Sequence, residues 1–130
     1  MTKRTWQRKP PKKATTTPKV SDEIKATILA DASSVVASLK KRFCKKPAKS
    51  IFNWPEDIFV RWHRDCLYFV VIMRTPHGIP PTFESHIARL EHAGNGKFNV
   101  AVPMRRGWMT THCDLSAENC FETVPEIVYL

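Results

Sequence analysis

The sequence predicts an α+β domain: a long N-terminal amphipathic helix packed on a four- to five-stranded antiparallel meander sheet, followed by a short C-terminal helix and preceded by a disordered basic arm. Three observations carry this expectation. Apolar residues between Ile24 and Phe43 recur at helical spacing. From Ile58 onward the apolar period shortens toward two, and glycines, prolines and asparagines punctuate the chain at turn positions. No segment repeats at a fixed period, and the roughly 110 residues behind the arm suffice for one hydrophobic core.

The opening stretch, MTKRTWQRKPPKKATTTPK, holds seven lysines and arginines and no acid. Its prolines, threonines and spaced cations bury too little apolar surface to offset the entropy of ordering, so residues 1–20 are expected to be an arm and residues 21–130 a single domain. Ser21 then starts a helix. Its hydroxyl can cap the first free N–H groups, and Asp22 and Glu23 sit near the positive end of the helix dipole. Ile24, Ile28, Leu29, Ala32, Val35, Val36, Leu39 and Phe43 are expected on one face of about six turns. Lys40, Lys41 and Arg42 fall at the negative end, and Pro47 prevents continuation.

In IFVRWHR, Ile58, Val60 and Trp62 alternate with Phe59, Arg61 and His63. A turn at Arg64 and Asp65 leads into CLYFVVIMR, an almost unbroken apolar run that reads as a central strand. After TPHGIPP, the segments FESHIARLEH and FNVAVPM flank the turn AGNGK as a second hairpin. Pro103 cannot donate to a ladder, so its strand is expected at an edge or to end in a bulge. RRGWMTTHC reads as a fifth short strand. Ser116 can cap a short helix that Pro125 should stop, and one sheet face should stay open to solvent.

Net charge is +9, distributed unevenly. Residues 1–19 carry seven bases and no acids, residues 20–49 seven bases and three acids, and residues 114–130 four acids and no bases. Such asymmetry points to a chain that meets a polyanion with one end. No stretch approaches the roughly 20 apolar residues of a membrane span, and no secretory apolar region is apparent, so a cytoplasmic location without a membrane partner is expected. Cys44, Cys66, Cys113 and Cys120 are accordingly expected to be thiols.

The candidate nucleic-acid-binding residues are Lys3, Arg4, Arg8, Lys9, Lys12, Lys13 and Lys19 along the arm, with Trp6 available to stack on a base. A second cluster, Lys40, Lys41, Arg42, Lys45, Lys46 and Lys49, lies at the far end of a helix about 33 Å long, so the two clusters need not form one patch. The plainer reading of the second cluster is dipole compensation and a solvated loop. Arg61, His63, Tyr68 and Arg74 form an aromatic and basic platform if they share the open face, whereas a one-residue slip exposes the Trp62 set instead.

Catalytic and metal readings find little support in the spacing. His63 and Cys66 form H-x2-C across a hairpin turn, and His112, Cys113 and Cys120 cluster later, but a tetrahedral zinc site needs four converging ligands. WHRDC contains the triplet of kinase catalytic loops without a glycine-rich phosphate loop or a metal-binding Asp-Phe-Gly. Glu84 and Glu91, seven apart, are expected on opposite faces of a regular strand and so do not make a carboxylate pair. No enzyme activity, cofactor or metal is expected.

The segment ESHIARLEHAGNGKFNVAVPMRRGWMTTH resembles the C-terminal hairpin of small uncharacterised bacterial domains built from an amphipathic helix and an antiparallel meander. The matching residues are Ala88, Arg89 and Leu90, then Phe98, Val100 and Val102, then Trp108 to His112. IFVRWHRDCLYF and ETVPEIVYL are similar in layout, and the basic arm and the sparser aromatics of the Phe98 strand are departures. The resemblance implies the fold and carries over no functional residue. Together these readings anticipate a non-catalytic protein that binds DNA or RNA chiefly through phosphates. The alternative is an adaptor or inhibitor that holds a protein partner by a sheet edge or by the acidic stretch and apolar end of residues 114–130.

Overall fold

The computed structural model describes residues 18–45 and 52–130. Helix α1 spans Asp22–Phe43 and is followed by strands β1 (Trp54–His63), β2 (Cys66–Arg74), β3 (Thr82–Gly94), β4 (Lys97–Pro103) and β5 (Trp108–Ser116), then by helix α2 (Ala117–Ile127). The five strands form one antiparallel sheet in the order of the chain. Both helices pack on the same face of it, α1 against β1 and α2 against β4 and β5.

Local chemistry accounts for the helix starts. The Ser21 hydroxyl accepts from the Ile24 N–H at 3.3 Å, and the Ser116 hydroxyl accepts from the Asn119 N–H at 3.2 Å. The α1 stripe is narrower than its periodicity suggests. Ile28, Ala32 and Leu39 are buried, with Val35, Val36 and Phe43 packed beside them, whereas Ile24 is 48% and Leu29 41% exposed. At one side of a sheet only the central rows of the helix reach β1, and the flanking positions overhang the edge. The helix ends at Phe43, capped by Cys44, four residues before Pro47, which lies outside the described residues.

Two expectations about prolines need correction. Pro125 lies inside α2 and does not stop it. In this last turn its missing N–H costs one bond, while the ladder resumes when the Val128 N–H donates to the Val124 carbonyl at 3.2 Å. Pro103 is neither on an edge strand nor at a bulge: it ends β4, an interior strand, opposite Trp108. As the terminal residue it has little ladder left to interrupt.

The core lies between the helices and one sheet face. Ile58 from β1, Leu67, Phe69 and Val71 from β2, Ala88 and Leu90 from β3, and Phe98 and Val100 from β4 meet Ile28, Ala32 and Leu39 of α1 and Cys120, Phe121 and Val124 of α2. Trp62 joins this side half-buried, and its indole N–H donates to the Lys25 carbonyl at 3.0 Å. The register therefore places the Trp62 set inward and the Arg61 set outward.

The start of the domain is pinned to the sheet end that carries the β1–β2 and β3–β4 turns. The Val20 N–H donates to Asp65 Oδ1 at 2.8 Å, the Asp65 carbonyl accepts from the His92 N–H at 3.3 Å, and His92 Nδ1 bonds the Pro18 carbonyl at 2.8 Å. Gly94, at φ +98, brings the β3–β4 turn past the Pro18 ring. The chain thus joins the domain beside the β1–β2 turn, at the N-terminal end of α1.

Truncating Leu39 to Ala should lower stability by about 2–5 kcal/mol because the helix cannot collapse onto the space left under it, whereas Leu29→Ala should cost under ~1 kcal/mol. Urea unfolding of the two variants measures the contrast, and equal losses would show that the α1 rows are assigned wrongly.

Candidate functional site

The sheet face opposite the helices carries its own cluster. The register aligns Arg61 with Tyr68, His63 with Cys66, Tyr68 with Arg89, Val70 with His86 and Arg89 with Ala101, all on this face. Val70 and Ala101 are fully buried although neither belongs to the helix-side core. Rings cover them. Tyr68 stands 4.8 Å from His86 and 5.7 Å from Trp108 between ring centroids, His86 is 5.8 Å from Trp108, and His63 meets Tyr68 edge-on at 6.2 Å.

A bulge builds this arrangement. Between Phe69–Ala88 and Val70–His86 the register of β2 with β3 shifts by one residue, so Ile87 is extra. Without it, His86 would point into the helix-side core and no ring would bridge Tyr68 and Trp108. The same bulge overturns the expectation for Glu84 and Glu91. They share this face, aligned with Ile72 and Cys66, because one added residue reverses the alternation between them.

Both of those carboxylates, and Glu56 of β1, are taken by arginines. Arg61 Nη2 lies 2.8 Å from Glu84, Arg74 Nε lies 2.7 Å from Glu56, and Arg89 Nε donates to Glu91 at 2.8 Å. Arg89 also donates to the Tyr68 hydroxyl at 3.1 Å and lays its guanidinium 4.3 Å from the Trp108 ring centroid. Burial by itself would lower the Arg89 pKa, but the hydrogen bonds to Glu91 and Tyr68 outweigh it and raise the value, so this cation is permanent. The hydrogen bond to Glu56 likewise raises Arg74. Arg61, His63, Tyr68 and Arg74 therefore do share the open face, but its arginines are neutralised in place.

The other candidate residues divide. Lys3, Arg4, Trp6, Arg8, Lys9, Lys12 and Lys13 of the arm, with Lys46 and Lys49, lie outside the described residues. Lys19 is exposed where the chain joins the domain. In the helix-end cluster, Lys40 pairs with Asp57 at 2.9 Å, and Arg42 donates to the Pro125 carbonyl at 2.6 Å, capping the C-terminal end of α2. Lys41 and Lys45 are exposed, with no ion pair among the described residues. The structure thus uses two of these cations to hold the helices in place, which sequence spacing does not reveal because their partners come from β1 and α2.

The cysteines and histidines do not converge: no group of three or more metal-ligating residues forms among the described residues. Cys120 is buried under Phe98, and burial pushes its thiol up to about 12. Cys44 is raised by burial and then by Asp57, and it lines an open cleft of about 460 Å³ with Trp54, Pro55 and the Arg74–Glu56 pair. Neither environment favours a thiolate nucleophile. No helix among the described residues is long and apolar enough to cross a membrane.

No protein-family model matches the chain, and neither the curated proteins nor the solved structures offer a match.

Sequence reasoning missed His86, Arg89 and Trp108 as members of the face, since the bulge and the β4–β5 register decide their side. Only the aromatic character of Trp108, next to Arg105 and Arg106, was a visible signal.

The Cys120 thiol gives a pH dependence of known sign. Its folded pKa lies above the ordinary value of 9.0, so between about 9 and about 12 the unfolded chain loses the proton first and stability falls as pH rises. Urea midpoints measured from pH 8 to 10.5 should decline more steeply for the native sequence than for Cys120→Ala. Parallel declines would mean that the thiol is not desolvated.

Proposed function

We propose that this protein is a non-catalytic nucleic-acid-binding protein that holds its ligand chiefly through phosphates. The observation that carries the reading is the charge imbalance of residues 1–49, with 14 bases against three acids in a chain whose net charge is +9. Cations that neutralise phosphates release condensed counterions, which supplies affinity without sequence preference. With Lys40 and Arg42 engaged inside the domain, the arm carries most of this role, and Lys41 and Lys45 supplement it. The bonds from Val20 to Asp65 and from Pro18 to His92 hold the root of the arm at one end of the sheet.

A second reading, an adaptor that binds a protein partner, is favoured by the C-terminal tip. Val128 is buried, but Tyr129 is 83% and Leu130 45% exposed, leaving an apolar end available to another chain.

The two readings separate experimentally. For labelled duplex binding through five phosphate contacts, log affinity against log salt should have a slope of about −4.5, a loss of roughly 500-fold between 50 and 200 mM. Replacing Lys3, Arg4, Arg8, Lys9, Lys12 and Lys13 by Gln in the full chain should weaken binding and flatten that slope in fluorescence anisotropy. Unchanged affinity would remove the charge reading. Tyr129→Ser with Leu130→Ser should leave oligonucleotide affinity as it is. Loss of affinity in that variant would place the C-terminal tip in the nucleic-acid surface.

A further inference from the structure

The open sheet face has an internal charge pattern that the arm does not explain. Its three interior arginines, Arg61, Arg74 and Arg89, are each paired with a carboxylate. The arginines at its two rims are not. Arg64 follows His63 directly in the β1–β2 turn, at φ 57, and Arg105 and Arg106 precede Trp108 in the β4–β5 turn. All three are exposed and form no ion pair among the described residues.

In an antiparallel meander the β1–β2 and β4–β5 turns lie at opposite ends of the sheet. A line from Arg64 to Arg105 and Arg106 therefore crosses the strands diagonally, and it passes along His63, Tyr68, His86 and Trp108. Successive ring centroids on that line are 4.8–6.2 Å apart. His63 and His86 are exposed, while Tyr68 and Trp108 are half-buried. Among the described residues, no helix covers this side.

We propose that this diagonal row is a stacking track for single-stranded nucleic acid, with bases lying against the rings and phosphates held by Arg64 at one rim and by Arg105 and Arg106 at the other. The assignment rests on the nucleic-acid reading above and deepens it by naming the strandedness of the ligand. Base stacking needs exposed π surface, and the rings in the interior of the face provide it. Phosphates need unpaired cations, and those stand at the rims. A duplex hides its base faces, so the track discriminates against it. Val20, where the described chain begins to join the domain, is bonded to Asp65, next to the Arg64 rim.

The probes are a labelled dT12 strand, an abasic strand of the same length and charge, and a 12-base-pair duplex, measured by anisotropy with the full chain. The native protein should prefer dT12 over the abasic strand by tenfold or more, about the effect of one lost stacked base. His63→Ala with His86→Ala removes the two exposed rings, one of them beside Val70, and Trp108→Leu keeps an apolar side chain on the face. Each should reduce that preference at least severalfold without altering the salt slope. Arg64→Gln, and Arg105→Gln with Arg106→Gln, should instead weaken dT12 and the abasic strand equally and flatten the slope by about 0.7 per lost contact. Circular dichroism confirms folding, and if Trp108→Leu unfolds, the histidine variant decides alone. Equal native binding of dT12 and the abasic strand, with a steep salt slope, would overturn the track and leave the charge reading intact. Preference for dT12 that survives in the folded ring variants would overturn it as well. Absence of binding to every probe would remove both.

Discussion

Strand β2 is buried on both faces, and the arrangement of everything else depends on that constraint. Leu67, Phe69 and Val71 face the helices, while Val70 is equally inaccessible on the other side. A strand apolar on both sides cannot lie at an edge facing water, so it draws β1 and β3 to its flanks. It also demands cover on two surfaces. The helices supply one cover with aliphatic side chains from α1 and α2. The second is a set of rings and one guanidinium, Tyr68, His86, Trp108 and Arg89, which seal Val70 and Ala101 while leaving polar edges toward solvent.

That second cover explains why the face looks cationic in the sequence but is locally neutral in the structure. Arg89 can lie between Tyr68 and Trp108 only because Glu91 is placed to compensate it, and a half-buried guanidinium without a partner would be expensive. Arg61 with Glu84 and Arg74 with Glu56 repeat the pattern nearer to solvent, where such pairs contribute little to stability but cancel the field of the face. Among the described residues, exposed cations without an ion pair stand outside this interior, at the rim arginines, at Lys97 and at Lys41 and Lys45 near the end of α1.

Both helices run from the sheet end where the arm is rooted to the end where Arg42 meets Pro125. Their negative dipole ends therefore lie together, and Lys40 and Arg42 are placed to offset them. The basic run KKRF after the helical stripe thus has a structural task as well as a surface, and composition alone could not apportion the two.

Much of the architecture was legible from local signals. The cap at Ser21, the length of α1, the hairpin turn at Arg64 and Asp65, the limits of β2 and the meander order all follow from short-range patterns, because capping, periodicity and turn chemistry act over a few residues. The uneven charge was equally plain, since it is a property of composition. What local pattern could not supply was any feature set by one residue's offset between strands. The bulge at Ile87 brought Glu84, His86 and Glu91 to one face against the expectation of regular alternation, and packing at the sheet margin left Ile24 and Leu29 outside the core. Which elements form, and how unevenly charge is spread along the chain, follow from patterns read over a few residues. Which cations are cancelled and which rings stand together depends on register across strands far apart in the chain.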